Sequence, residues 1–363
     1  MKNSFGNNLT LTIFGESHGP SVGCVLDGIA PGISVNEEEI KKMLFLRRPA
    51  GAISTSRQEA DEFIIQSGVF NGFTTGTPIC ITIPNSDTRS ADYQSTANLA
   101  RPSHADYTAH CKYRGFQDYR GGGHFSGRIT AALVAVGGIL IPALNKKGIY
   151  IGTHIKSCGG VQDREFDDYT NDINKLSSSS FAVLDDNASN QMQQAILNAK
   201  VSGDSLGGVL ETAIIGLESG VGEPWFDSVE SVLSHALFSI PAVKGVEFGL
   251  GFGFANETGS TANDSFYTES GQVYTATNNS GGINGGITNG MPVTFRCAFR
   301  PTPTISKPQN TVDFVEMENK VLEAKGRHDP CIIHRARVVV DSITALVVAD
   351  LLATRHGTDW LAL

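Results

Sequence analysis

The chain has 363 residues, with 28 Lys and Arg against 37 Asp and Glu and a formal net charge of −9. It therefore has no overall positive field that would attract nucleic acid or an anionic membrane. Its 40% hydrophobic content excludes a disordered chain, and its 40 glycines lack the three-residue period of collagen. We expect any anionic ligand to be bound by a local cluster of cations.

The six cysteines are scattered and form no CxxC pair, which argues against a zinc ribbon and a compact disulfide framework. This pattern fits a reducing compartment. The first residues lack an apolar signal core, and no uncharged apolar run of about 18 residues follows. We expect a cytoplasmic protein without a membrane segment.

Strand-like and helical patterns alternate along the chain. Asn36 precedes three glutamates, which is the pattern of a helix N-cap with acids in the first turn. The run 129–144 is apolar nearly all round and too long for an ordinary strand, so it predicts a buried helix. In chain order, the predicted elements are strands 9–14 and 22–27, helix 36–46, strands 63–70 and 79–84, helix 129–144, strands 209–217, 246–252 and 293–299, and helix 338–353.

The segment 159–199 differs in composition from the rest of the chain. It holds seven acids against two bases and a run of four serines at 177–180. We interpret it as an acidic, solvated surface insertion near residues 160–200.

Residues 19–27 and 203–211 share the pattern Gly-x-Ser-x-Gly followed by an apolar strand. Two interpretations stay open, a duplicated half-fold or two similar turns that arose by chance. The pattern is also that of the nucleophile elbow of serine hydrolases, in which a helix follows the serine. Strand-like residues follow both Ser21 and Ser205, so we reject a hydrolase.

His18 lies in the turn Gly-Glu-Ser-His-Gly after the first long strand. A lone histidine is more often structural, but the small neighbours of this one leave its imidazole room to meet a ligand. We therefore treat His18 as a candidate functional residue.

The segment 101–128 reverses the charge of the chain, with five basic against two acidic residues and three histidines, His104, His110 and His124. Three glycines at 121–123 lead through Ser126 into the buried helix. Backbone N–H groups at such a turn can bind an anion. We interpret the segment as an anion site rather than a solvated basic loop.

Further turns carry candidate ligand groups. Arg47 and Arg48 end the first helix, where cations either complement the helix dipole or bind phosphate and carboxylate groups. Paired glycines at 281–286 would permit close approach of a flat ligand, and the stretch 300–304 offers two hydroxyls; either could be an ordinary loop. Residues 326–331 place a base, an imidazole and an acid on consecutive positions, which a solvated loop does not usually need.

Together these motifs resemble the chorismate synthase family. The resemblance runs from Phe14 to about Asp350 and rests on segments 14–28, 119–128 and 326–331, with the block Arg-Pro-Ser-His-Ala-Asp-Tyr-Thr at 101–108 equally typical. It implies an α+β fold, a β-α-β sandwich in a single domain over residues 1–363, and assembly as a homotetramer, a dimer of dimers.

The resemblance also implies a lyase of the shikimate pathway. Such an enzyme removes phosphate and a C6 hydrogen from 5-enolpyruvylshikimate 3-phosphate by anti-1,4-elimination, giving chorismate. It requires reduced FMN (FMNH2) although the reaction has no net redox change. We expect an external flavin reductase to supply this cofactor, and no nucleic acid or membrane partner.

By the family pattern, His18 protonates the leaving phosphate, His104 supports the reduced flavin, and Asp329 lies near flavin N5. An imidazole is suited to proton transfer near neutral pH. Arg47, Arg48 and Arg101, together with Arg327, would neutralise the phosphate and carboxylates of the substrate.

The flavin-contacting positions of the family carry over with three departures. Many members have Arg-Ser-Ser at 124–126, and many have Asn or Gln at position 241, where proline removes a backbone donor. An arginine common near Ile53 and Ser54 is missing here, and only Arg57 is close by. The predicted flavin-binding residues are His124, Phe125, Ser126, Pro241, Ala242, Gly285, Arg300, Pro301, Thr302, Pro303, Thr304 and Arg327.

Two other functions compete with the lyase. A bifunctional enzyme that also reduces its flavin with NADPH would oxidise NADPH without an external reductase, but no nucleotide-binding fingerprint supports it. An inactive protein that binds phosphorylated ligands is the second alternative. The presence of His18, His104 and Asp329 argues against it.

Overall fold

The structure is a computed structural model that describes residues 2–49, 51–55, 60–86, 96–324 and 328–362. Arg57 and Arg327 lie outside the described residues. The helices are α1 (Glu37–Arg47), α2 (Asp106–Tyr113), α3 (Thr130–Lys146), α4 (Tyr169–Leu176), α5 (Asp186–Val201), α6 (Val229–Leu237), α7 (Gly259–Ala262) and α8 (Ile333–His356). The strands are β1 (Ser4–Phe5), β2 (Thr10–Gly15), β3 (Ser21–Asp27), β4 (Ile64–Ser67), β5 (Val69–Phe70), β6 (Phe73–Thr74), β7 (Ile79–Pro84), β8 (Tyr150–Cys158), β9 (Val161–Gln162), β10 (Gly208–Ile215), β11 (Val243–Phe248), β12 (Phe266–Glu269), β13 (Gln272–Thr275), β14 (Ile283–Asn284), β15 (Ile287–Thr288), β16 (Val293–Phe299), β17 (Gln309–Asp313) and β18 (Glu318–Leu322).

Two antiparallel sheets enclose a layer of helices. The first sheet has the order β1-β2-β3-β7-β4 and the second the order β11-β16-β10-β8-β9. Helix α3 packs on β3 and β7, α8 packs on β8 and β10, and α1, α3 and α8 contact one another. The layers are therefore sheet, helices and sheet, which confirms the predicted α+β fold and β-α-β sandwich.

Helix α3 lies at the centre of this core. A Cβ at Gly137 would lie 2.1 Å from Ser342 Oγ, and one at Gly138 would lie 2.7 Å from Ile40 Cα, so these glycines let α8 and α1 approach closely. The segment 127–146 is long and apolar enough to cross a membrane, but 83% of its most apolar window is buried inside the protein. Such burial is usual for a core helix.

Local sequence patterns predict several elements well. Strands 79–84 and 293–299 have the expected bounds, and the Asn36 side chain accepts a hydrogen bond from the Glu38 N–H as an N-cap. The predicted bounds of strand 246–252 are wrong, because β11 ends at Phe248. Beyond that point Gly249 and Gly251, at φ +54° and +58°, turn the chain away from the sheet.

The acidic segment 159–199 folds into α4 and α5. Helix α4 buries Ile173 and Leu176, and α5 buries Met192 and Ile196. Both helices contact β8, and Ile173 lies against Gly152 of that strand. The segment therefore covers part of the second sheet with apolar side chains, although its sequence suggests only a solvated surface.

Of the two similar segments, 19–27 contains β3 and 203–211 contains the start of β10, and these are the central strands of the two sheets. Each central strand is followed by a helix, two further strands of its own sheet and a long buried helix: β3, α1, β4, β7 and α3 in one half, and β10, α6, β11, β16 and α8 in the other. This correspondence favours the duplicated half-fold over chance.

Candidate active site

A cavity of about 320 Å³ opens among loops from both halves of the chain. This volume lies within the range of small-molecule sites. The predicted site residues that line it are Arg47, Arg48, His104, Phe125, Ser126, Pro241, Ala242, Arg300, Thr302, Pro303, Thr304 and Asp329.

A loop of three glycines, 121–123, separates the two histidines predicted to be catalytic. All three glycines have positive φ, a conformation that glycine adopts without steric cost. A Cβ at Gly121 would lie 2.1 Å from His18 Cε1, and one at Gly122 would lie 3.2 Å from His104 Cε1. The imidazoles therefore pack against one short backbone segment, and only glycine fits beside His18.

His18 lies behind Gly121, which lines the cavity. The Ser17 hydroxyl lies 3.2 Å from His18 Nδ1 and donates to the carbonyl of Gly121, also at 3.2 Å. The Ser17 N–H donates to the Gly123 carbonyl at 3.1 Å. These bonds fix the turn between β2 and β3 to the glycine loop, so His18 itself does not line the cavity but is held directly behind Gly121, which does.

Arg101 does not line the cavity, although the sequence predicts that it binds substrate. Its guanidinium donates to both oxygens of Asp106, at 2.8 and 2.6 Å, and His104 Nδ1 lies 3.0 Å from Asp106 Oδ1. Burial alone would raise the pKa of Asp106, but the hydrogen bonds from Arg101 and His104 outweigh burial and hold that pKa well below its usual range.

Five guanidinium groups line the cavity against two carboxylates. With the His104 imidazole uncharged, the lining carries a net of three positive charges, in a chain whose net charge is −9. This local excess fits a ligand with several negative groups. The arginines are Arg47, Arg48, Arg128, Arg300 and Arg335, and the acids are Asp61 and Asp329.

Asp61 bridges two of these arginines. It accepts hydrogen bonds from Arg47 Nη2, at 2.7 Å, and from Arg128 Nη1. Burial would raise the pKa of Asp61, but the charges and hydrogen bonds of the two guanidiniums outweigh burial and lower it. Asp61 therefore stays ionised and holds both cations at the cavity wall.

Arg48 and Arg300 differ from that pair, because neither guanidinium has an acceptor within the part of the chain that the structure describes. Arg48 Nε is buried without a partner. Burial lowers the pKa of Arg300, but a guanidinium stays charged in proteins. Both side chains are only partly buried, and an anionic ligand would supply the acceptor that their guanidiniums lack and so stabilise them.

Asp329 is held between the two halves of the site. Its Oδ1 accepts from the Thr55 N–H at 2.9 Å, and its Oδ2 from Arg335 Nη1 at 2.7 Å. Arg335 Nε donates to the Arg47 carbonyl at 2.9 Å. The carboxylate is therefore fixed at the cavity wall by Arg335, six residues away in sequence, and by Thr55, 274 residues away.

The rest of the lining suits a flat, partly polar ligand. Ile240, Pro241 and Pro303 give it apolar surface, while the buried Thr302 hydroxyl has no hydrogen-bond partner within the described parts of the chain. Pro241 has no N–H, and the next N–H, that of Ala242, has no acceptor among the described residues. These groups fit a bound flavin, and the Ala242 N–H offers a backbone donor one residue beyond Pro241.

Three predicted flavin residues do not line the cavity. His124 Nδ1 lies 2.7 Å from the Gly15 carbonyl, and Pro301 lies against Gly207 between two lining residues. Gly285 lies in the turn between β14 and β15, at the N-terminal end of α6, and Pro241 follows the other end of that helix. A nine-residue helix is about 13 Å long, so Gly285 lies well away from the described cavity.

The structure also places in the lining three charged residues that the sequence analysis did not select, Asp61, Arg128 and Arg335. Arg128 ends the segment 119–128 and could have been found there, since it follows the glycine loop. Asp61 and Arg335 lie in stretches without a recognisable motif. Only their contacts with Arg47 and Asp329 reveal them.

Comparison with known proteins agrees with these motifs. The chorismate synthase family model matches residues 9–353. Chorismate synthases of Thermococcus gammatolerans and Dehalococcoides mccartyi are each 46% identical to this chain, over 352 and 358 residues that cover 97% and 98% of it and 98% of each relative. A crystal structure of chorismate synthase superposes with a TM-score of 0.76 at 30% identity, covering 97% of this chain and 94% of that one. The chain belongs to the chorismate synthase family.

Proposed function

We propose that this protein is a lyase that forms chorismate from 5-enolpyruvylshikimate 3-phosphate by anti-1,4-elimination, the final step of the shikimate pathway, with reduced FMN as cofactor. The observation that carries the proposal is the cavity with a net of three positive charges, lined by His104 and Asp329 and with His18 packed behind its Gly121 wall, in a member of this family. We also infer a single domain, a cytoplasmic location, a homotetramer and an external flavin reductase.

The charge of the lining matches the charge of the substrate. The substrate carries a phosphate and two carboxylates, and the unpartnered guanidinium of Arg48, beside Arg47, can bind such groups through charge-assisted hydrogen bonds. Arg47 is less mobile than Arg48 because Asp61 holds it. Arg47 therefore orients the anion, and Arg48 supplies charge that no acid of the described chain offsets.

His18 is the proton donor to the leaving phosphate in this proposal. A phosphate leaves more readily when it is protonated, and general acid catalysis by an imidazole contributes typically 10²–10⁴-fold. The bonds of Ser17 to the glycine loop fix the turn that carries His18. That fixed position lowers the entropic cost of proton transfer.

Reduced FMN, when bound, supplies an electron-rich ring beside the substrate. Pro241, Ala242 and Pro303 would hold this ring, and Arg300 and Thr302 would hold its polar groups. Asp329 stays oriented by Thr55 and Arg335, and we assign to it a supporting role near flavin N5 in the loss of the C6 hydrogen.

Anaerobic incubation with 5-enolpyruvylshikimate 3-phosphate tests the function. With dithionite-reduced FMN we expect release of one phosphate per chorismate formed and no net oxidation of flavin. The absorbance of chorismate measures product formation. Oxidised FMN should give no turnover. One flavin oxidised per chorismate formed would contradict the lyase, and absence of phosphate release would favour an inactive binding protein. No observation favours the NADPH-dependent alternative, which NADPH oxidation without an external reductase would test.

A further inference from the structure

The sequence Arg-Pro-Ser-His at 101–104 forms a tight turn beside the cavity. The His104 N–H donates to the Arg101 carbonyl at 2.9 Å, and Ser103 has a φ of +59°. Proline in the second position and a positive φ in the third are the features of a type II turn. This turn places the side chains of Arg101 and His104 next to each other, immediately before α2.

Asp106, the first residue of α2, contacts both side chains. Arg101 donates to Asp106 from Nε, Nη2 and its backbone N–H, at 2.8, 2.6 and 3.0 Å. His104 Nδ1 lies 3.0 Å from Asp106 Oδ1 and 3.2 Å from Arg101 Nη2. The side chains are 14–18% exposed, so water screens these contacts only partly.

The position of the imidazole proton follows from these distances. A bare Nδ1 would direct its lone pair at a carboxylate oxygen 3.0 Å away, which is repulsive, whereas a protonated Nδ1 donates to that oxygen. Arg101 Nη2 gives one of its two hydrogen atoms to the same carboxylate, and a bare Nδ1 would accept the other only at 3.2 Å, a longer contact than the 3.0 Å to Asp106 Oδ1. Nδ1 therefore carries a proton, and Nε2, which has no partner among the described residues, is the nitrogen left for a ligand.

We propose that Asp106 is a positioning residue that keeps a proton on His104 Nδ1 and leaves Nε2 to the ligand, and that Arg101 fixes Asp106 instead of binding substrate. This inference rests on the proposed function, because it assigns His104 to the same reaction. It assigns to Asp106 a role that its motif does not reveal, and it gives Arg101 a different role from the one predicted.

The first experiment needs no substrate or flavin. In protein labelled with 15N-histidine, the His104 signals are identified by their absence in His104→Gln, and their shifts report which nitrogen is protonated. We expect a protonated Nδ1 in the unsubstituted protein. In Asp106→Asn, Arg101 competes for the one remaining oxygen and the amide turns towards Nδ1, so the proton should move to Nε2. An unchanged proton position in Asp106→Asn would overturn the proposal.

The second experiment uses kinetics with reduced FMN. Asp106→Asn should lower kcat by roughly ten- to a hundred-fold with little change in KM, as is typical when a residue that orients a functional side chain is lost. Asp106→Glu keeps the carboxylate and should restore part of the lost kcat. Arg101→Gln should act on kcat in the same way, and the double variant should be little worse than either alone. A raised KM with unchanged kcat in Arg101→Gln would mean that Arg101 binds the substrate directly.

Asp172→Asn is the matched control. Asp172 also lies in the first turn of a short helix and pairs with an arginine, Arg164, but no histidine is bonded to it. This variant should lower stability without changing the His104 signals or kcat of the folded fraction. If the unsubstituted protein releases no phosphate, the proposed function fails, while the NMR result still decides the contact between Asp106 and His104.

Discussion

Two buried histidines, His18 and His154, have opposite surroundings. His154 lies on β8 and is fully buried, with Nδ1 2.7 Å from Asp163 Oδ2 and Nε2 2.9 Å from Glu211 Oε2. His18 is 8% exposed and lies between a serine hydroxyl and the glycine loop, of which Gly121 lines the cavity. One imidazole is enclosed by carboxylates of the protein, and the other packs behind Gly121, which lines a cavity that a ligand can enter.

The charges explain why the two residues serve different purposes. Burial alone would lower the pKa of His154, but the hydrogen bonds to Asp163 and Glu211 outweigh burial and raise it, so the ring is held as a cation. Both of its nitrogens are used, which leaves none for chemistry. Such an imidazole is structural, because it joins the segment that carries Asp163 to the second sheet. The difference between the two histidines therefore follows from the groups that surround each imidazole, and not from the residue type.

The largest expected effect is on turnover. His18→Ala removes the proposed proton donor and should lower kcat by roughly 10²–10⁴-fold, the usual contribution of general acid catalysis. Phosphate release under anaerobic, reduced-flavin conditions measures this effect. FMN binding and the denaturant midpoint should stay close to their original values, and unchanged turnover would remove His18 from the mechanism.

For His154→Gln we expect lower stability and unchanged turnover, the opposite of the result for His18→Ala. This change leaves two buried carboxylates without their shared cation, and breaking a buried ion pair typically costs about 3–5 kcal/mol of unfolding free energy. Urea unfolding measures the loss, and kcat of the folded fraction should not change. His356→Gln is the control, because it breaks the more exposed pair with Glu218 and should cost less than about 1 kcal/mol. Equal losses in both variants would contradict the comparison.

Arginines allow a similar comparison for binding. Arg48→Gln removes a guanidinium that has no acceptor in the described structure, so the loss should fall on the ligand. A hydrogen bond to a charged group contributes about 1.5–3 kcal/mol, which predicts a roughly ten- to hundred-fold rise in substrate KM. Arg164→Gln, whose partner is Asp172 far from the cavity, should change stability and leave KM alone. An unchanged substrate KM in Arg48→Gln would contradict the assignment of Arg48 to substrate binding.

The smallest effect is a pH dependence of stability. The pKa of His154 is higher in the folded protein than in the unfolded chain, where it is about 6.5. Protonated His154 therefore makes its full contribution to the free energy of unfolding below about pH 6.5. That contribution is lost as the pH rises through the folded pKa, by at most about 1.4 kcal/mol per pH unit. Urea titrations at several pH values should show this slope in the unsubstituted protein and lack it in His154→Gln. A slope that persists in the variant would belong to another group.

Much of the fold follows from short-range patterns. Short apolar runs rich in β-branched residues predict β7 and β16, and the capping residue Asn36 predicts the start of α1. The helices of segment 159–199 are harder to predict, because many acids and serines lie between the apolar residues that pack towards β8 at helical spacing. Ile173 and Met192 become core residues only once the second sheet lies beneath them.

The local parts of the site are also contained in the sequence. The turn at 101–104 needs only proline and a residue that tolerates positive φ, and the glycine loop needs only its three glycines. These segments bring His104 and Asp106 together whatever the rest of the chain does. Their residues are close in sequence, so little chain entropy opposes the contact.

Tertiary structure alone decided the long-range contacts of the site. Asp61 meets Arg128 across 67 residues, and the Thr55 N–H meets Asp329 across 274 residues. Likewise, only the packed loops show that Arg48 faces the cavity. Such contacts depend on how two sheets close over a shared helical layer. The entropy of bringing distant segments together is offset by core burial across the whole domain, and no local pattern of residues encodes that balance.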